Sequence, residues 1–585
     1  MIIYKFMLYY AISLWRISVH IFLIVLNTLS ITRISILSIT IFFLVQGILG
    51  VSIPFIMLWL NLCLLFIFIH MITEIIHFHY IKNSTILISL FLAGFWIIFI
   101  NASHTAIFII NDTLKLQTLF NAITISILSI YLYQNLRRSF SVFTNIKISF
   151  RLLITLSFLL VISIGTVLLM LPIATPPLSP RLSLINAFFT AVSAVCVTGL
   201  IVVDTATYFS RFGQLIIIGL IQIGSLGLVT ITTTMVTLLG RKLSLTGQLS
   251  AKNSVSASGD NTLTNYLGFT LGFTIFIEMS IALLLFTRFS KILPLDDAIF
   301  YSIFHAISSF CNAGFALFSD SLMGFDNDIT INLAIMLSII IGGLGFGIWL
   351  DIKNRFINRE SKSLSLQTLI AIRVSLLLIF VGTLGFFILE KNNTLVNLPW
   401  YKQILRSLFA SVNLRTAGFN TIDISQTNEA SRLMSLLFMY IGASPGSTGG
   451  GIKTTTFVLL LAYVKASLNN SPDYIVFGKR IQDSLVNQAW ALTFNSISWI
   501  FFVTLILCYL DNINLSSALY ETVSAYGTVG LSTGITSSLS PVSKFLISIT
   551  MILGRVGPTT IMLALIKTST KINLTRTPAE KISIG

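Results

Sequence analysis

The sequence predicts an all-α polytopic membrane protein built on a fourfold internal repeat. Three observations carry that reading: an apolar composition, a glycine-bearing turn that recurs four times, and a one-sided distribution of basic residues. Of 585 residues, 55% are hydrophobic and 10% are charged, and the mean hydropathy is +0.92. Water-soluble chains carry about a quarter charged residues, so most soluble enzyme classes are excluded. The four cysteines, Cys63, Cys196, Cys311 and Cys508, lie far apart and form no C-x-x-C, which indicates neither a disulfide framework nor a zinc site.

From residue 1 to about 136, apolar segments at roughly 7–29, 31–49, 52–78, 85–110 and 117–133 follow one another across short polar gaps. A span needs about 20 residues, so this stretch predicts four or five N-terminal transmembrane helices. The first of them reads as a retained helix, because MIIYKFMLYY lacks a compact basic region and a small-residue cleavage site. Five of the six histidines fall here: His20, His70, His77, His79 and His104. Their spacing favours interfacial or hydrogen-bonded roles over a metal site, since residues two apart point in different directions on a helix.

After Arg137 and Arg138, four turns can be laid over one another. They are Cys196-Val197-Thr198-Gly199-Leu200, Cys311-Asn312-Ala313-Gly314-Phe315, Arg415-Thr416-Ala417-Gly418-Phe419 and Gly527-Thr528-Val529-Gly530-Leu531, with glycines 104–115 residues apart. A second glycine follows each turn 24–28 residues on, at Gly224, Gly342, Gly442 and Gly554. Two markers recurring in step define a repeat. Before each turn stands an apolar helix too short to span, such as Leu184 to Val195 or Ser517 to Ala525, and long apolar segments flank it. The unit is therefore helix, pore loop, helix. The predicted divisions are 1–136, 137–255, 256–360, 361–480 and 481–585.

Segments 137–151, 241–252, 353–373, 465–480 and 567–585 hold 19 Lys/Arg against three acids, whereas the turn-bearing sides hold ten of each. The positive-inside rule makes the former and the C-terminus cytoplasmic, in a multi-pass protein of the cell (inner) membrane. The net charge of +16 thereby has a topological origin, and no nucleic-acid partner is implied.

A half-helix that stops within the bilayer leaves carbonyls unpaired, which is tolerated only where the backbone lines a cavity. Four such ends around one axis imply a pore. Each helix C-terminus carries about −0.5 of an elementary charge, so four place roughly two negative equivalents near the centre. That field favours a monovalent cation, and carbonyls beyond it can replace the ion's water. Glycine at the fourth turn position permits a backbone twist that other residues resist, and the small Thr198, Ala313, Ala417 and Val529 keep the lining narrow. The rival arrangement, re-entrant loops around a side-chain site, needs intramembrane carboxylates facing the loops. The sequence offers Glu278 in mid-span, with Asp260, Asp351, Glu390 and Asp483 near segment ends, so Glu278 reads as a hydrogen-bonding partner of a neighbouring helix or loop.

These turns, the run Gly442-Ala443-Ser444-Pro445-Gly446-Ser447-Thr448-Gly449-Gly450-Gly451-Ile452-Lys453, and Gly554-Arg555-Val556-Gly557-Pro558 together resemble the Trk/Ktr/HKT superfamily of potassium transporters, in its bacterial Trk/Ktr branch. The resemblance covers about residues 148–570. It implies potassium uptake, with K⁺ as the transported ion and no cofactor on this chain. It also implies a homodimer in membrane lipid, each subunit with its own pore, and a cytoplasmic nucleotide-binding regulatory ring from a separate gene product. The implied K⁺ filter comprises Val197, Thr198, Gly199, Asn312, Ala313, Gly314, Thr416, Ala417, Gly418, Thr528, Val529 and Gly530, of which Val197 and Asn312 depart from the usual filter residues. A symporter of the same fold, coupling Na⁺ or H⁺ to K⁺, is the alternative.

Two cations, Lys453 and Arg555, fall within otherwise apolar spans, where a charge costs about 2.5–3.5 kcal/mol at the bilayer centre. The predicted helix at about 433–464 contains Pro445 with Gly442, Gly446, Gly449, Gly450 and Gly451, and cannot stay regular. It breaks into a loop that the resemblance reads as a gate, with Lys453 and Arg555 beside it. Arg555 occupies the register of Ser225, Gly343 and Ala443, which predicts that it projects into the pathway below the filter. A phosphate loop is excluded because Ile452 separates glycine from lysine and no strand precedes. An intramembrane hydrolase using Ser444 or Ser447 with Lys453 leaves the other three turns unexplained.

Overall fold

A computed structural model describes residues 150–176, 181–238, 263–357 and 363–557, all within one unit that runs from Ile148 to Gly585. The N-terminal helices predicted over 1–136, the histidines on them, Asp260 and the C-terminal tail lie outside the described residues.

Four times a long helix is followed by a short one, a turn and a further helix. The first set is α1 (Phe150–Leu169), α2 (Leu184–Val195) and α3 (Arg211–Leu238). The second is α4 (Leu263–Phe289), α5 (Leu295–Phe310) and the bent pair α6 (Ile329–Leu344) and α7 (Phe346–Phe356). The third is α8 (Leu366–Glu390), α9 (Trp400–Asn413), α10 (Glu429–Tyr440) and α11 (Thr454–Leu468). The last is α12 (Asp483–Asp511), α13 (Leu515–Gly527) and α14 (Pro541–Val556). The short helices have 12, 16, 14 and 13 residues, or about 18–24 Å at 1.5 Å per residue, less than a hydrocarbon core of about 30 Å. Their starts are fixed locally. Ser183 accepts a hydrogen bond from the Asn186 N–H at 3.4 Å, and Pro294 and Pro399 precede α5 and α9.

Among the described residues α4, α8 and α12 are each long and apolar enough to cross a membrane, and the pair α6 and α7 passes the same test together. Large apolar side chains such as Phe276, Phe380 and Phe501 stand about two-thirds exposed on α4, α8 and α12, as lipid-facing positions require. Within each set the short helix packs on the long one before it. Between sets, α3 meets α5, α6 meets α9, α10 meets α13, and α14 meets α2. The last pairing returns the chain to its beginning.

Three features differ from the sequence reading. The helix α13 extends two residues beyond the predicted 517–525 at each end, so Gly527 is its last helical residue. The second long helix of the second set bends by 89° at Gly345, whose φ is +95°. A Cβ there would stand 2.7 Å from the Pro445 carbonyl oxygen, and the Phe346 N–H donates to Gly446 O at 3.1 Å. The bend thus accommodates the tip of the glycine-rich loop, a tertiary cause that local sequence does not carry. Third, the fold is not wholly helical. A short antiparallel hairpin, Tyr474–Val476 with Lys479–Ile481, turns through Phe477 and Gly478, both at positive φ.

Candidate functional site

The four turns adopt one backbone course. Their second residues, Val197, Asn312, Thr416 and Thr528, have φ of 57°, 59°, 65° and 51°, and their fourth, Gly199, Gly314, Gly418 and Gly530, have φ of 91°, 70°, 81° and 91°. The left-handed region is unfavourable for β-branched residues, so three of the four second positions hold a strained conformation that their surroundings must enforce. That enforcement is visible. The third-residue N–H donates back into the short helix: Thr198 to Ser193 O at 2.8 Å, Ala313 to Ser308 O at 2.7 Å, Ala417 to Asn413 O at 3.1 Å and Val529 to Ser524 O at 2.9 Å. Ser193 and Ser524 each accept from the following glycine N–H at 3.1 Å. Ser308 Oγ donates to Phe315 O at 2.7 Å, and Asn413 Oδ1 accepts from the Phe419 N–H at 2.8 Å. These bracing residues are absent from the sequence reading. Their signal is a serine six residues before the glycine in three of the four turns.

The glycines also touch one another's turns in cyclic order. A Cβ on Gly314 would stand 2.8 Å from Ala417 O and one on Gly418 2.6 Å from Val529 O. On Gly199 and Gly530 it would press still closer on Ala313 O and Thr198 O. Third-residue carbonyls and fourth-residue glycines therefore form one closed ring. All four glycines line a single cavity of about 410 Å³, together with Asp204, Asp320 and Asp423. No lysine or arginine lines it, so its potential attracts cations.

The segment between α10 and α11 leaves helix at Tyr440 and regains it at Thr454, as the glycine density predicts. It lies against three of the turns. Thr448 Oγ1 donates to Phe310 O or Asn312 Oδ1, both at 3.3 Å; a Cβ on Gly449 would strike Thr416 Oγ1; and the Gly450 N–H donates to Thr528 Oγ1 at 2.9 Å. Of the second-register glycines, Gly224, Gly342 and Gly554 pack on the last carbonyls of the short helices, at Val195, Phe310 and Tyr526. Gly442 instead packs on Gly450, within the loop. Gly446 and Gly451 both have φ of 70°.

Arg555 closes this assembly. Its Nη1 donates to Thr448 O, and its Nη2 donates to Gly224 O at 2.8 Å and Ser225 O at 3.2 Å. Lys453 Nζ donates to Gly449 O at 2.7 Å. Neither cation pairs with an acid; the ion pairs among the described residues are Arg211–Asp297, Arg288–Asp328, Arg406–Asp326 and Arg480–Asp473. Carbonyl oxygens therefore stabilise both charges, Arg555 buried and Lys453 half-buried. The Ser447 hydroxyl is bound to Ser444 O at 2.6 Å and that of Ser444 to Thr454 Oγ1 at 3.3 Å. Lys453 is a partner of neither, and no nucleophile and base pair is formed.

Charge counting along the chain places Arg415 among the turn-bearing segments, and the structure adds that it is buried within the protein. Arg415 follows directly on the C-terminal end of α9, is 8% exposed, and has neither Nε nor Nη2 hydrogen-bonded. Arg415 and Arg555 are therefore buried beside the turns and loop, and Lys453 is half-buried there. Position beside a helix C-terminus offsets part of the cost. Glu278 is hydrogen-bonded as expected: Gln222 Nε2 on α3 donates to its Oε2 at 3.2 Å.

The family model for TrkH, described as a cation transport protein, matches residues 115–574. The chain is 38% identical over 417 residues to the Ktr system potassium uptake protein B of Bacillus subtilis (strain 168), covering 71% of this chain and 92% of that protein. It is 34% identical over 439 residues to the potassium/sodium uptake protein NtpJ of Enterococcus hirae, covering 74% and 96%. A crystal structure of the potassium transporter TrkH from Vibrio parahaemolyticus superposes with a TM-score of 0.59 at 18% identity, over 82% of this chain and 97% of that one. That structure supports the fold, and the family match extends over well more than half of the sequence, so the chain belongs to the TrkH family of cation transport proteins.

Proposed function

We propose that this chain takes up potassium through a pore formed by four pseudo-repeats, with residues 197–199, 312–314, 416–418 and 528–530 as the selectivity filter. The observation that carries the reading is the cyclic contact of glycine and carbonyl among the four turns, which gives one axis lined by backbone oxygen. The acidic cavity supports it by concentrating cations at the mouth. The names of the relatives, potassium uptake proteins at 34–38% identity, supply the ion. The excess of basic residues on the inter-repeat connections and the C-terminus supports a cytoplasmic position for them, in a protein of the cell (inner) membrane. Family resemblance supports a homodimer and a cytoplasmic nucleotide-binding regulatory ring. Expression in a host stripped of its own potassium transporters restores growth at limiting potassium and ⁸⁶Rb⁺ uptake; a well-inserted protein that restores neither refutes the reading.

A second reading, Na⁺-coupled uptake, is favoured by the naming of one relative for both ions. Reversal potentials in liposomes at varied Na⁺ and pH separate the two, since a uniporter follows the K⁺ gradient alone.

The loop 442–451, with Lys453 and Arg555, is proposed as the gate, because it touches three turns from one side while Arg555 ties it to the first set at Gly224 and Ser225. Shortening it raises flux and weakens dependence on the regulatory partner. Deletion variants that reach the membrane with unaltered flux and regulation would show the loop to be a kink between packed helices.

A further inference from the structure

Behind the second turn, four polar side chains meet inside the helix bundle. The Cys311 thiol lies 2.9 Å from Ser225 Oγ, 3.4 Å from Gln222 Oε1 and 3.8 Å from Glu278 Oε1, and it can donate to one of them at a time. The Gln222 amide is oriented by Glu278, since Nε2 donates to Oε2 at 3.2 Å and the other end of the same amide is thereby left facing the thiol. Glu278 itself is 7% exposed on α4, among neighbours that face lipid such as Ile275, Phe276 and Met279. A carboxyl group at mid-span is expensive and marks a functional role by default.

The contacts continue in both directions from Cys311. The next residue, Asn312, donates through Nδ2 to Arg415 O at 3.2 Å, which joins the second turn to the third. Its Oδ1 lies 3.3 Å from Thr448 Oγ1 and is one of the two acceptors within reach of that hydroxyl. Thr448 O accepts from Arg555, and Arg555 donates to Ser225 O, the backbone of the residue whose hydroxyl meets Cys311. A closed circuit therefore runs from Glu278 through the second turn to the loop and back through Arg555 to α3.

We infer that Glu278 is a positioning residue that sets the selectivity of the second turn by holding the Gln222 amide, and through it Cys311, in one orientation. The inference rests on the proposed filter. Glu278 touches no permeating ion; it fixes the residue adjoining Asn312, whose backbone is at φ 59° and must be held there. If Glu278 only glued α4 to α3, its loss would lower the amount of protein or the maximal rate and leave ion preference unchanged.

The test measures K⁺ and Na⁺ dependence of ⁸⁶Rb⁺ uptake by the full chain, normalised to membrane abundance. Glu278→Ala is expected to raise the apparent KM for K⁺ about tenfold and to admit Na⁺ as a competitor, the scale of one lost buried hydrogen bond. Glu278→Gln keeps an acceptor oxygen for Gln222 and is expected within about threefold of the parent. Should Glu278→Ala fail to reach the membrane, Gln222→Ala, which removes the bridge and leaves the carboxyl group, gives the decision on the same KM and Na⁺ readings. Parent KM and Na⁺ exclusion in the interpretable variant overturns the inference, as does a Glu278→Gln variant as impaired as Glu278→Ala. The serine variants of the four turn glycines separate this failure from failure of the filter itself: if all four too leave KM and Na⁺ exclusion unaltered, the filter assignment is at fault.

Discussion

Serine at Gly199 or Gly530 abolishes potassium-selective uptake, and this is the largest single-residue effect expected in the chain. Two costs combine. At φ of 91° an L-residue sits outside its allowed region, a strain of about 1–3 kcal/mol. The added Cβ would also overlap the neighbouring carbonyl oxygen, Ala313 O or Thr198 O, and that oxygen is part of the proposed ion path. The turn must therefore open or rotate, and either movement spoils the cage that replaces the ion's water. The structure grades the series. Gly314, at φ 70° and with the most room, 2.7 Å to Gly418 Cα, is the mildest site, and Gly418, 2.6 Å from Val529 O, is intermediate. Uptake affinity and Na⁺ exclusion for each of the four serine variants, at matched abundance, check the order. Parent values in all four would end the filter assignment.

Replacing Arg555 with alanine raises maximal uptake by about tenfold while assembly of the proposed dimer is preserved. The guanidinium is bound to the loop that lies against the turns, and as a general scale two unit charges about 8 Å apart at an effective dielectric of 20 repel by about 2 kcal/mol. The same side chain tethers the loop at Thr448 and α3 at Gly224 and Ser225, so charge and tether act in one direction. Arg555→Lys separates them, because it keeps the charge and forfeits the fork geometry. Flux near the parent in the lysine variant assigns the effect to charge, whereas flux as high as in alanine assigns it to the tether. A lower or unchanged flux in an assembled alanine variant contradicts both. Second-site loss of Glu278 is expected to give no rescue, since Glu278 is bound to Gln222 and not to Arg555.

What the sequence reveals and what it hides divide along a physical line. The short helix Leu184–Val195, the turn glycines and the break after Tyr440 are legible because each rests on local chemistry: apolar runs of fixed length, glycine where φ is positive, and glycine with proline inside a helix. The left-handed second residues are illegible, because Val197, Thr416 and Thr528 are β-branched and their intrinsic preference points the other way. Contacts from the short helices override it. The burial of Arg415 is hidden from charge counting because topology rules score segments, and this residue stands just past the point where a short helix ends inside the molecule. The bend at Gly345 escapes because its cause, the loop tip at Pro445 and Gly446, is contributed from a hundred positions further on.

The pairing of α14 with α2, and of Gly530 with the Thr198 carbonyl, bears on biogenesis. Helices are delivered to the membrane from the N-terminus onward, and three of the four joints between consecutive sets can form as each set arrives. The fourth joins residues more than three hundred positions apart, so it waits for the last described helix of the chain. Until then the face of α2 that α14 will cover lacks that partner, including the Asn186 amide that Lys544 later reaches at 3.3 Å. Closure of the ring among the four sets thus waits for Pro541–Val556, and a chain stalled before Pro541 is left with its first turn open on one side.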